Sequence, residues 1–122
     1  MSELWAAIAR SAAGDVTADV DGGVRQAFVF AKKFPGFMGH FPGYSVLPGV
    51  VQMMAAALVA SHGLDAVREI RGVKSARFLT PISPGMTVTV HVRPQGPDAA
   101  EIRVMAHDVL AAAFTLVFEK IP

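Results

Sequence analysis

His40 is the only histidine in a stretch, Phe34 to Pro48, that is broken by Pro35, Gly36, Gly39, Pro42, Gly43 and Pro48. Imidazole has an unperturbed pKa near neutrality, so it can take up and release a proton at physiological pH. Downstream, Pro48-Gly49-Val50 opens an apolar run that predicts a helix. A helix N-terminus exposes unpaired N–H groups and a partial positive charge. Gly49 has no side chain, so a ligand oxygen can come close to its N–H. A base beside such a donor suits proton abstraction next to a carbonyl. One group takes the α-proton and the other holds the enolate-like oxygen. A lone histidine in a Gly/Pro loop can equally do no more than bond a backbone carbonyl, and these residues alone leave both readings open.

The elements that must position these groups follow from the pattern around them. The loop also carries Phe34, Phe37, Met38, Phe41, Tyr44, Val46 and Leu47, which is too apolar for a solvated linker. It predicts an ordered loop packed onto the body of the protein, the kind that usually serves function. The helix is expected over Gly49 to His62, with Gly63 just past its end. It is apolar nearly all round, which predicts a helix wrapped on every side. A short helix is expected near Ser2 to Ala9, with Leu4, Trp5 and Ile8 on one face.

Strands are expected over Val24 to Lys32, Ile70 to Phe78, Met86 to Arg93, Glu101 to Met105 and Val109 to Phe118. Met86, Val88, Val90 and Val92 alternate with Thr87, Thr89, His91 and Arg93, so one face of that strand is apolar. Val109 to Phe118 is apolar throughout, as a strand covered on both faces would be. An antiparallel sheet curled around one buried helix is the simplest packing of these pieces, an α+β arrangement.

Composition bounds the function classes. The chain has 122 residues, 52% of them hydrophobic and 17% charged, with a mean hydropathy of +0.43. That excludes a disordered chain and fits a single domain over residues 1–122. It has 0 Cys, so disulfides, thiol nucleophiles and Cys-based zinc sites are out. Lys+Arg 11 against Asp+Glu 10 carries no electrostatic footprint for nucleic acid. No apolar run reaches the roughly 20 residues of a membrane-spanning helix. Glu3 stands where a secretion signal would be basic, so the expected location is cytoplasmic. No histidine pair has metal-ligand spacing, so no metal is expected.

The run His40-Phe41-Pro42-Gly43, then Val46-Leu47-Pro48-Gly49-Val50, resembles the signature of the 3-hydroxyacyl-acyl-carrier-protein dehydratases. Lys74, Arg77-Phe78, Pro81 and Pro84-Gly85 are similar to that family's segment after the helix, so the likeness runs from about Val24 to the C-terminus. The resemblance implies the hotdog fold, an antiparallel sheet wrapped around a long central helix. It implies that His40 removes the α-proton of a 3-hydroxyacyl thioester. The Gly49 N–H would bind the thioester carbonyl, and the backbone carbonyl of Val46 would hold the histidine. It implies no cofactor, and a substrate carried on acyl carrier protein or coenzyme A. The working unit would be a homodimer or higher oligomer, since each site draws on two chains. Val50, Phe41 and Met54 would join Gly49 and Val46 in binding substrate, with Phe37, Met38, Met53 and Leu58 as further candidates to line an acyl tunnel. Met53 and Leu58 read first as ordinary core.

The chain departs from the pattern at one chemically decisive place. The family carries Glu or Asp where this sequence has Met54, and that carboxyl protonates the departing hydroxyl. A thioether has no proton to give, and general acid help is worth about 10²–10⁴-fold. Gln52 does not replace it, because two helical residues lie about 200° apart. The Val51-Gln52 spelling resembles a branch linked to aryl polyene synthesis, which also keeps the acid; Ser45 replaces a usual proline.

Four functions stay open. They are a dehydratase that recruits another acid or a water, the His-donating half of a heterodimer with a paralog, a non-catalytic acyl-thioester-binding subunit, and an acyl thioesterase. Elsewhere, His62 is expected to cap its helix, His91 to be solvated, and His107-Asp108 to form a turn. Lys32, Lys33, Arg68, Arg71, Lys74 and Arg77 read first as a solvated face, and secondarily as a dock for an acidic carrier.

Overall fold

A computed structural model describes residues 3–37, 45–64 and 69–119. Helix α1, Glu3–Arg10, has an acid in its first turn and a base in its last, matching the helix dipole, and buries Ala7 and Ile8. The strands are β1 Thr17–Ala18, β2 Val24–Val29, β3 Ile70–Phe78, β4 Thr87–Pro94, β5 Ala99–Ala106 and β6 Val109–Phe118. Between β2 and β3 lies α2, Gly49–Gly63. The strands form one antiparallel sheet in the order β1-β2-β4-β5-β6-β3.

Turn chemistry sets the β4-β5-β6 meander. His107 and Asp108 both have positive φ, +47° and +66°, the backbone demanded by a tight two-residue hairpin turn. Gly96, at φ +71°, serves the β4–β5 turn. β1 pairs with β2, the next strand in sequence, whereas the other two pairings join strands that are not consecutive: β2 pairs with β4, and β3 closes the far edge against β6. The expected strand Val24 to Lys32 stops at Val29, and Phe30 just past its end is buried to 1% exposure. The two-residue β1 was not expected; it is too short to carry a periodicity.

Alternation sorts the sheet into two faces. Val88, Val90 and Val92 on β4, Ala100, Ile102 and Val104 on β5, and Phe114 and Leu116 on β6 all face the core. In β6 the other set, Ala113, Thr115 and Val117, is only half-buried, so its apolar run does not mean cover on both sides.

α2 lies on the inner face and buries Val51, Gln52, Ala55, Ala56, Val59 and Ala60. The alanines allow close approach to the strands. Its opposite face is open: Met53, Met54, Ala57 and Leu58 are half-buried and Val50 is exposed. The expectation of a helix wrapped on every side is corrected here. One sheet and the short α1 cover only one side of a cylinder. The helix ends where the Leu64 N–H bonds the Ala60 carbonyl, a backbone cap; His62 makes none of the cap bonds and is exposed.

Candidate functional site

Two sets of contacts order the described chain between β2 and α2. A chain of aromatic contacts runs from β2 to the 3₁₀ turn Pro35–Phe37: Phe28 stacks on Phe30, and Phe30–Phe34 and Phe34–Phe37 meet edge to face. Each such pair adds about 0.5–1.5 kcal/mol beyond its buried area. Phe37 is therefore buried core here. In the second set Leu47, 2% exposed, donates its N–H to the Ile82 carbonyl at 2.8 Å. Its own carbonyl accepts from Gln52 Nε2 at 3.2 Å. Leu47 is thus clamped by both backbone groups immediately before the helix.

Pro48 occupies the cap position with extended backbone and no side-chain cap bond. Its carbonyl receives the N–H of Val51 at 3.1 Å and of Gln52 at 3.2 Å. Among the described residues no backbone acceptor outside the helix meets the N–H of Gly49 or Val50. Gly49 is needed for a packing reason as well. A Cβ there would stand 2.8 Å from Cζ of Phe78. That ring leans on Phe114, with centroids 6.3 Å apart, yet remains 47% exposed. An apolar wall thus stands beside a pair of helix-end amides, and such amides carry partial positive charge. This arrangement suits a ligand with a carbonyl oxygen and an apolar tail.

Of the residues expected at the site, the structure brings Val46, Gly49 and Val50 together at this end, with Val46 and Gly49 half-buried. Met54 lies about 7.5 Å further along the helix axis and, one turn beyond Val50, on the same open face. His40 and Phe41, with Met38, Tyr44, Asp65 and Arg68, lie outside the described residues.

Three residues were missed as site or structural groups. Gln52 is 5% exposed, and its Oε1 has no partner. Its sequence signals were a lone amide in an apolar helix and the Val51-Gln52 spelling, and neither foretold the bond to Leu47. Phe78 was visible as part of a strand and of the Arg77-Phe78 family likeness, without a role at the site. Asp19 accepts from Arg25 at 3.1 Å and faces His91 Nδ1 at 2.6 Å. His91 was expected to be solvated; it is tied to Asp19, because β1 folds back beside the start of β2, which pairs with the second half of β4. The hydrogen bond from His91 holds the Asp19 carboxyl below its ordinary 3.8, against the upward push of burial, with Val20 N–H and Arg25 assisting.

Among the described residues no helix is long and apolar enough to cross a membrane. The family model ApeI-like, described as ApeI dehydratase, matches residues 18–112. A 3-hydroxyacyl-[acyl-carrier-protein] dehydratase FabZ of Thermus thermophilus is 32% identical over 96 residues, covering 69% of this chain and 68% of that one. The FabZ of Variovorax paradoxus is 38% identical over 68 residues, covering 48% of this chain and 45% of the relative. The match thus spans just under half the length of that second relative.

Among solved structures, the dehydratase heterocomplex ApeI:P from Xenorhabdus doucetiae aligns with a TM-score of 0.75 at 19% identity, covering 85% of this chain and 93% of that one. The PaaI protein from the phenylacetic acid degradation operon of E. coli aligns at 0.64 and 18%, covering 87% and 82%. These likenesses establish the hotdog fold. Because the family model spans the stretch from the end of β1 into the first residues of β6, including the helix entrance, the chain belongs to the ApeI-like dehydratase family.

Proposed function

We propose that this chain is a single-domain, cytoplasmic 3-hydroxyacyl thioester dehydratase-type protein. His40 removes the α-proton, the Gly49 N–H holds the thioester oxygen, and the C3 hydroxyl, protonated by a recruited acid or water in place of the absent carboxyl, leaves as water to give the 2-enoyl thioester. Val46, Val50, Phe41 and Met54 line the approach. The observation that supports this most directly is the uncapped amide end at Gly49–Val50 beside the exposed Phe78 ring. Carbonyl oxygens that gain charge in a reaction are stabilised by such preorganised donors. The carrier is acyl carrier protein or coenzyme A. The open face of α2 meets a second chain, so that an acyl channel closes between the two.

Met54 favours a second reading. A thioether occupies the open face of the helix where an acid would serve, so the leaving hydroxyl lacks a proton donor from this chain. The chain would then bind acyl thioesters without turnover, or donate His40 to a heterodimer in which another chain supplies the acid. The solved relative described as a dehydratase heterocomplex is in keeping with this.

The test is the purified full chain with a 3-hydroxyacyl thioester, following the enoyl product. Slow turnover that disappears in His40→Ala and rises about 10²-fold in Met54→Glu supports the first reading. Equal rates for wild type and His40→Ala refute it. Saturable binding with no turnover, even in Met54→Glu, favours the binding subunit, and turnover only after mixing with a paralog favours the heterodimer.

A further inference from the structure

The face of the sheet turned away from α2 carries its charges in two registered rows. Arg25, His91, Arg103, Ala113 and Arg77 pair successively across β2, β4, β5, β6 and β3. Arg93, Glu101, Thr115 and Lys74 make the next row. Of the acids beside these rows, Asp21 accepts the Gly23 N–H, and Asp19 and Glu101 are engaged by side chains. Asp19 takes Arg25 and His91. Glu101 takes Arg93 at 2.8 Å and the Gln95 amide at 3.0 Å. Arg77 and Arg103 remain without a carboxylate partner among the described residues.

Between these two arginines stands Ala113. Residues two strands apart are separated by roughly 9.5 Å, and a methyl group does not fill that interval. A groove of about 510 Å³ opens there, lined by Arg77, Arg103, Thr115, Ser75, Leu110, Ala113 and the Arg93-paired Glu101, among others. Its volume falls in the roughly 300–1,000 Å³ range of small-molecule sites. β3 is bulged beside it: the register slips between Lys74 and Arg77, and Ser75 has φ +54°. A bulge re-aims the side chains that follow it.

We propose that this groove binds a small organic phosphate, its phosphate held between Arg77 and Arg103. Two guanidinium groups present planar donor forks that match phosphate oxygens, and, with Glu101 committed to Arg93 and Gln95 and no described carboxylate within ion-pair distance of either arginine, they supply the charge a dianion needs. The hydroxyls of Thr115 and Ser75 add donors, and Leu110 and Ala113 offer an apolar wall to the organic part. The site lies on the opposite face of the sheet from Gly49 and does not depend on the dehydratase reading.

The test is a heteronuclear NMR titration of the full chain with adenosine 5′-monophosphate, with inorganic phosphate and adenosine as separate arms. The nucleotide is expected to shift the amides of Arg103, Ala113 and Thr115 saturably. Inorganic phosphate binds at least about fivefold more weakly, having no organic part to pack, and adenosine leaves these amides unmoved. Arg103→Gln and Arg77→Gln each weaken nucleotide binding about tenfold, whereas Lys33→Gln does not. The proposal is overturned by the absence of saturable shifts, or by equal affinity for nucleotide and inorganic phosphate. It is overturned too by the same shifts with adenosine, by undiminished affinity in either arginine variant, or by an equal loss in Lys33→Gln.

Discussion

The two faces of α2 have nearly the same apolar composition and opposite surroundings. Val51, Ala55, Ala56, Val59 and Ala60 lie against the sheet, with Gln52 among them. Met53, Met54, Ala57 and Leu58, equally apolar, are half-buried, and Val50 is 60% exposed. The sheet-facing set is small and branched, suited to close-packed strands; the open set holds both methionines, whose flexible thioethers fill irregular surfaces. Hydrophobicity alone therefore did not separate a helix side that holds this chain together from a side suited to meeting something else. The difference also supports the proposed site, because the amide end of the helix opens beside Val50 and Phe78 rather than against the sheet.

A charge placed on each face breaks the comparison most sharply. Val59 is 0% exposed, so Val59→Asp buries an unpaired carboxylate and should destabilise the chain by about 3–5 kcal/mol. Leu58→Asp, next along the helix but half-buried, should stay within about 1.5 kcal/mol of wild type in urea unfolding. Sedimentation should instead show Leu58→Asp losing self-association. Equal unfolding by both variants would show that the open face belongs to the core of a single chain.

Gln52 probes the border between the faces at smaller amplitude. Gln52→Leu removes the donor to the Leu47 carbonyl, but it also removes a buried Oε1 that has no partner. These effects oppose one another, so the thermal midpoint should change by less than the equivalent of about 1 kcal/mol. The turn that presents the Gly49 amide loses its clamp, so affinity for an acyl thioester should fall about fivefold. A large stability loss with unchanged affinity would assign Gln52 to the core alone.

The smallest effect lies off the helix altogether. Apart from His62 neither face of α2 carries a titratable side chain, so acid sensitivity should follow Asp19. Its carboxyl is lowered in the folded chain, so the unfolded chain binds the proton first as pH falls. Its stabilisation is present above 3.8 and is lost as pH drops through the lower folded value. Asp19→Asn should cost about 0.5–1 kcal/mol at pH 7, discounted for partners that are 30% and 47% exposed. Urea midpoints between about pH 2 and 6 should lose part of their acid-side slope in the variant. An unchanged slope would assign acid sensitivity to other carboxylates.

Local pattern determined a good deal of this protein. Alternation in β4 and β5, the Gly/Pro breaks around His40, and the Pro48–Gly63 bounds of α2 are short-range signals, and so are the fixed offsets of His40, Pro42, Pro48 and Gly49 that carry the family likeness. Each concerns residues within a few positions of one another, where steric and hydrogen-bonding preferences act directly. Tertiary structure decided what depends on distant parts of the chain. Which side of an all-apolar helix meets the sheet is fixed by where the strands lie, not by the helix. Asp19 meets His91, Gln52 clamps Leu47 while Ile82 takes its N–H, and Phe78 covers Gly49 only after β3 has crossed to the far edge beside β6. Such contacts form between residues far apart in sequence, so no periodicity records them.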